Sequence, residues 1–84
     1  MNFIFTKHAQ ENLEKRKIPL SLVKSVLENP EQVVEEKGMS VYQSLVEIGG
    51  TTQLLRVVVN NRTNPALVIT VYPTSQIKRY WRAD

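Results

Sequence analysis

Two hydrophobic periods divide the chain. Phe5, Ala9 and Leu13 recur every fourth residue, the spacing that gathers side chains on one face of a helix. Thr6 precedes that run as an N-cap, and the pattern predicts a first helix from Lys7 to about Lys17. Glu11 stands four residues before Lys15, a favourable surface pair. Ile18-Pro19 interrupts the period, and Pro19 fits the start of a second helix whose apolar face is Leu20, Val23, Val26 and Leu27. Asn29-Pro30 ends it, because a residue before proline is pushed out of the helical region.

Beyond Pro30 the period falls to two. Glu31–Glu36 reads as a short edge strand and Lys37-Gly38 as a turn. Val41–Ile48 and Gln53–Asn60 flank Gly49-Gly50, a tight hairpin signal. Residues 61–65 (Asn-Arg-Thr-Asn-Pro) carry loop chemistry, and Ala66–Tyr72 is a strand rich in β-branched residues. Pro73-Thr74-Ser75 stops it, leaving Gln76–Arg82 as a tail or helical turn. Connections this short require antiparallel neighbours. The expected fold is α+β: one domain with two N-terminal helices packed on one face of a four-stranded antiparallel sheet.

Hairpin closure predicts which residues share a face. A tight Gly49-Gly50 turn sets Tyr42 opposite Val57, Gln43 opposite Arg56 and Leu45 opposite Leu54. Symmetric closure of the 61–65 loop sets Arg56 opposite Thr70, with Tyr72 on the diagonal. One face then holds Tyr42, Val46, Ile48, Leu55, Val57, Val59, Leu67, Ile69 and Val71, and is expected to meet the helices. The other holds Val41, Gln43, Leu45, Glu47, Leu54, Arg56, Val58, Val68, Thr70 and Tyr72, which is too apolar to face only water. Its expected cover is Ile77 and Trp81 from the tail, a second copy in a homodimer, or another protein.

Composition narrows the chemistry. The 84 residues include no cysteine and one histidine, which excludes disulfides, thiolate chemistry and any site with two imidazoles. No metal or cofactor is expected. No apolar run approaches ~18 residues, and no basic stretch precedes an apolar one at the start, so neither a membrane span nor a signal peptide is expected and the predicted location is cytoplasmic. Six basic and six acidic residues cancel over 1–37; the whole net charge of +3 falls in 38–84, where a phosphate polymer is the natural partner.

Arg56, in the middle of an apolar strand, needs a partner. Glu47 would make it structural; a phosphate would make it functional, since the guanidinium fork matches two phosphate oxygens. Gln43, Thr70 and Tyr72 share its face, with Lys78 and Tyr80 close in the tail. His8, in the first helical turn, is a candidate proton carrier or a plain surface residue. Tyr72 and Tyr80 are candidates for proton transfer or for packing. Trp81 reads as an apolar anchor, and Arg62, Arg79 and Arg82 as RNA contacts or solvated charge.

Several short blocks occur in a telling order: Phe5-Thr6-Lys7-His8-Ala9, Arg16-Lys17-Ile18-Pro19, Val26-Leu27-Glu28-Asn29-Pro30, Leu55-Arg56-Val57-Val58-Val59, Val68-Ile69-Thr70-Val71-Tyr72 and Lys78-Arg79-Tyr80-Trp81. Together they resemble a family of small prokaryotic domains of unknown function, DUF4258, allied to RelE/ParE-like toxins and close to the BrnT type. The resemblance implies the helix-on-sheet fold and a metal-independent endoribonuclease, with RNA, in some relatives on the ribosome, and an antitoxin as partners. Under it Arg56 corresponds to the phosphate-contacting arginine and Tyr80 to the tyrosine near the C-terminus of RelE-like toxins. Gln43 and Leu54 stand where ribosome-acting relatives carry basic residues. The implied reaction is attack of the RNA 2′-hydroxyl on the adjacent phosphorus, giving a 2′,3′-cyclic phosphate. Arg56 with Lys78 or Arg79 would stabilise the phosphate charge, and His8 or a tyrosine would move the proton. The alternative is a non-catalytic interaction or dimerisation module using the apolar sheet face.

Overall fold

Thr6 joins two elements. Its main-chain N–H bonds the Val68 carbonyl (3.1 Å) and so extends a strand, while its Oγ1 accepts from Ala9 N (3.1 Å) and caps a helix. The strand is β1 (Phe3–Phe5) and the helix α1 (Lys7–Arg16). The computed structural model describes residues 2–83. It continues with α2 (Leu20–Glu28), β2 (Gln32–Glu36), β3 (Met39–Ile48), β4 (Thr51–Asn60), β5 (Ala66–Thr74) and α3 (Ile77–Tyr80).

The expected α+β architecture of two helices on a four-stranded antiparallel sheet is corrected by this arrangement. The sheet has five strands in the order β1-β5-β4-β3-β2, and it is mixed: β1 runs parallel to β5, while the other three pairs are antiparallel. The difference has a simple origin. Three residues are too few for alternation to show, and Phe5 sits at helical spacing from Ala9 and Leu13. Phe5 is a strand residue, yet with Phe3 and Leu13 it still packs against the core.

The four later strands lie where the alternation predicts them. Both hairpins turn on two consecutive residues with positive φ, Lys37-Gly38 (51° and 79°) and Gly49-Gly50 (60° and 78°), whose twist suits a tight antiparallel turn. The β3–β4 register carries the expected pairs Tyr42↔Val57, Gln43↔Arg56 and Leu45↔Leu54.

The β4–β5 register departs from symmetric closure. A bulge at Val58/Val59 leaves Ile69 without a partner, so Val58 faces Thr70 while Val59 faces Val68. The loop itself closes one residue off symmetric, at Asn60↔Leu67, and the bulge adds one more, so Arg56 lies directly opposite Tyr72 rather than Thr70. The bulge also reverses the alternation beyond it. Val68 enters the core with Leu55, Val57, Val59 and Val71, whereas Leu67 and Ile69, expected there, are only partly buried outside that cluster.

Ala9, Val23, Val26 and Leu27 from the two long helices, with Ile18 from the link between them, close this core on one face of the sheet. The opposite face is covered by the chain's own tail. Tyr80 lies on Arg56 there, and Val41, Gln43, Leu54 and Arg56 are all buried. Leu45, at 39% exposure, is left at the margin of this face, and Val33, on the helix face of the edge strand β2, is 52% exposed. No helix among the described residues is long and apolar enough to cross a membrane.

Two leucines on neighbouring strands test this layering. Leu55 is fully buried in the core, so Leu55→Ala should cost about 2–5 kcal/mol of unfolding free energy in a denaturant titration. Leu45→Ala, at the exposed margin, should cost about 1 kcal/mol or less by the same measurement.

Candidate functional site

Four side chains form a row across the sheet on the face away from α1 and α2. Gln32 pairs with Gln43, Gln43 with Arg56, and Arg56 with Tyr72, one residue from each of β2, β3, β4 and β5. Arg56 is the centre of the row and is 1% exposed. Each part of its guanidinium has a partner. Nε donates to Gln43 Oε1 at 2.8 Å, Nη1 to the Tyr72 hydroxyl, and Nη2 to the Glu36 carboxylate. The Tyr80 ring lies over the cation, 4.1 Å from Cζ to its centroid, and meets Tyr72 edge-on at 6.4 Å. A buried charge is tolerated only when it is paired and hydrogen-bonded, and this one is both.

The second layer is equally well connected. Gln43 Nε2 donates to Gln32 Oε1 (2.8 Å) and to the Tyr80 carbonyl (3.1 Å). Gln32 in turn holds the main chain of Arg82, accepting its N–H (3.1 Å) and donating to its carbonyl (2.6 Å). Every buried side-chain nitrogen and oxygen among the described residues has a partner.

The ion pair corrects the sequence expectation. Glu47, the expected partner of Arg56, accepts from Thr52 across the β3–β4 hairpin instead. Glu36 takes its place, with a side chain 35% exposed beside the buried guanidinium. Glu36 and Gln32 are the two residues that sequence reasoning missed. The signal was present: the two-residue Lys37-Gly38 turn sets Glu36 opposite Met39, which puts Gln32, Val34 and Glu36 on the face of Arg56.

Gln43, Arg56, Tyr72 and Tyr80 are thus brought together. Arg79 stands outside them, exposed, its Cζ 5.3 Å from the Tyr80 ring. Lys78 and Arg82 are exposed on the same segment, and among the described residues no carboxylate pairs with any of these three cations. His8 does not join the cluster: it is exposed in the first turn of α1, in the layer on the other side of the sheet. Arg62 does not join it either. It is exposed in the β4–β5 loop, against Gly38, where a Cβ would meet Arg62 Nη2 at 2.9 Å.

A model of small domains, described as a domain of unknown function (DUF4258), matches residues 5–73. The chain belongs to the DUF4258 family. In this DUF4258 chain the match takes in Gln32, Glu36, Gln43, Arg56 and Tyr72 and ends before the segment that carries Tyr80. No curated protein and no solved structure matches the chain.

Pairing makes the two ends of the ion pair unequal. Glu36→Ala strands a buried cation and should cost ~3 kcal/mol of stability. Adding Arg56→Met to that variant removes the stranded charge, and the double variant should recover about 2 kcal/mol in chemical denaturation.

Proposed function

We propose that this protein is the toxin of a toxin–antitoxin pair, an endoribonuclease that cleaves RNA with charge and proton carriers supplied by its own side chains. The observation that carries the reading is the Glu36–Arg56 pair set against the Tyr72 hydroxyl on one sheet face, with Lys78, Arg79 and Arg82 exposed beside it. A carboxylate, a guanidinium and a phenol can supply the base, the charge stabilisation and the acid of a cyclising phosphodiester cleavage.

In this reading the exposed cations hold phosphates along the strand and Gln43 fixes the guanidinium plane. Glu36 takes the proton of the 2′-hydroxyl as O2′ forms its bond to phosphorus. Arg56 stabilises the charge that builds on the non-bridging oxygens. The P–O5′ bond breaks as Tyr72 gives its proton to the leaving oxygen, with the phenolate beside Arg56. The products are a 2′,3′-cyclic phosphate and a free 5′-hydroxyl. Tyr80 covers the guanidinium in the free protein and gives way to the substrate phosphate, and His8 and Arg62 take no part. An antitoxin that covers the face of Arg56 would silence the reaction.

One feature favours a second reading. A guanidinium at 1% exposure, with each of its nitrogens engaged, also suits a structural role, and the domain would then be a non-catalytic interaction module. Induced expression with and without the neighbouring reading frame separates the two. Growth arrest relieved by that neighbour, and lost in Arg56→Ala while the domain stays folded, supports the toxin; harmless expression supports the module.

The chemistry has its own test. Purified protein should leave cyclic-phosphate ends on RNA, free or on ribosomes, and Glu36→Gln should slow cleavage by roughly 10²–10⁴ with RNA binding little changed. Cleavage that survives in Glu36→Gln removes the carboxylate from the scheme.

A further inference from the structure

The Glu36–Arg56 site is closed on its open side by the chain itself. The Tyr80 ring lies over the guanidinium, which is buried, so no phosphate reaches Arg56 while α3 is seated. The way α3 is held is the informative part. It is a single turn of four residues with no fully buried side chain, and one isolated turn does not hold itself together in water. Exposed Ser75 and Gln76 lead into it.

Its attachments are few and specific. The Tyr80 ring rests on Arg56 and the Tyr80 carbonyl on Gln43 Nε2. Past the helix, the side-chain amide of Gln32 takes both main-chain groups of Arg82, as a neighbouring strand would. Trp81 and Ile77 are only partly buried. Polar contacts of this kind are individually weak, because water replaces them on release. The core on the other face, by contrast, would keep all its apolar contacts if α3 left. The same segment carries Lys78, Arg79 and Arg82, all exposed.

We propose that residues 76–82 form a hinged gate over the Arg56 site, latched by Gln32 and opened by a phosphodiester polyanion that its own three cations recruit. The inference rests on the RNA-cleavage reading for its ligand, but not for the gate. When the gate lifts, the Tyr80 ring leaves the guanidinium. Gln43 Nε2 loses the Tyr80 carbonyl, and a face bearing Arg56, Glu36, Gln43 and Tyr72 is uncovered. The cations travel with the strand they have bound, so opening exchanges a ring stacked on Arg56 for a phosphate.

The test uses the full chain and two local reporters. Phenylglyoxal modification followed by peptide mapping reads access to Arg56, with exposed Arg62 as the internal reference. Acrylamide quenching reads Trp81, the only tryptophan in the sequence. Gln32→Ala removes both latch bonds and should speed Arg56 modification about tenfold relative to Arg62, with stronger Trp81 quenching. If that variant fails to fold, Gln32→Glu makes the same comparison, since it keeps the acceptor for Arg82 N–H and loses the donor. A 2′-O-methyl RNA strand, which cannot be cleaved, should raise Trp81 quenching in the native chain. Arg56 modification that stays at the native rate in a folded latch variant overturns the gate. So does an unchanged Trp81 at saturating RNA, with saturation read independently by anisotropy of labelled RNA. If anisotropy shows no RNA binding at all, the nuclease reading falls, and the gate is decided by Arg56 modification alone.

Discussion

A positive charge under the surface of an 84-residue domain is the constraint around which this molecule is arranged. Small domains bury a smaller fraction of their surface than large ones and have less apolar area with which to offset a desolvated ion. Here the offset is local. Each nitrogen of Arg56 has an acceptor, a carboxylate supplies the opposite charge, and an aromatic face covers the plane. Four of the five strands contribute to that arrangement, so the row from Gln32 to Tyr72 adds side-chain ties across the strands to those of the backbone ladders. The two faces are thereby different materials. One is an aliphatic layer closed by α1 and α2; the other is a polar network closed by a single helical turn.

That contrast bears on what a functional group can do. An aliphatic core resists change because any displacement opens a void. A polar network with water at its margin can exchange partners at modest cost. Glu36, 35% exposed, sits at that margin and links the buried cation to solvent. Membership in DUF4258 is carried by a match that covers the whole row but not the turn that closes it.

How far the sequence reveals this can be judged from particular residues. The strands from Gln32 to Thr74 were legible, because Gly49-Gly50 and Lys37-Gly38 punctuate a period of two and leave one register for each hairpin. Arg56 pointing away from the long helices followed from that phasing. Phe3-Ile4-Phe5 was not legible, since a three-residue strand has no period and its partner lies more than sixty positions away in sequence. Tyr72 takes the place of Thr70 opposite Arg56 because the loop closes one residue off symmetric and the bulge at Val58/Val59 adds another, neither with a marker residue. Among the candidate residues, Gln43, Tyr72 and Tyr80 converge on Arg56, whereas His8 lies in the opposite layer and Arg62 at a loop. The acidic partner was assigned to Glu47 on the neighbouring strand, when a long guanidinium reaches past that strand to Glu36.

The parallel pairing of β1 with β5 has a consequence for assembly. Phe3–Phe5 are made some sixty residues before Ala66–Val68, the backbone that completes their hydrogen bonds. The antiparallel strands can zip sequentially as they emerge, but the leading edge has to wait, and contacts so distant along the chain form late and slowly. Until then two phenylalanines and the end of α1 have no sheet to rest on. The nascent domain is therefore incomplete until β5 has been made, an interval in which a helper that shelters β1 would matter more than at any later time.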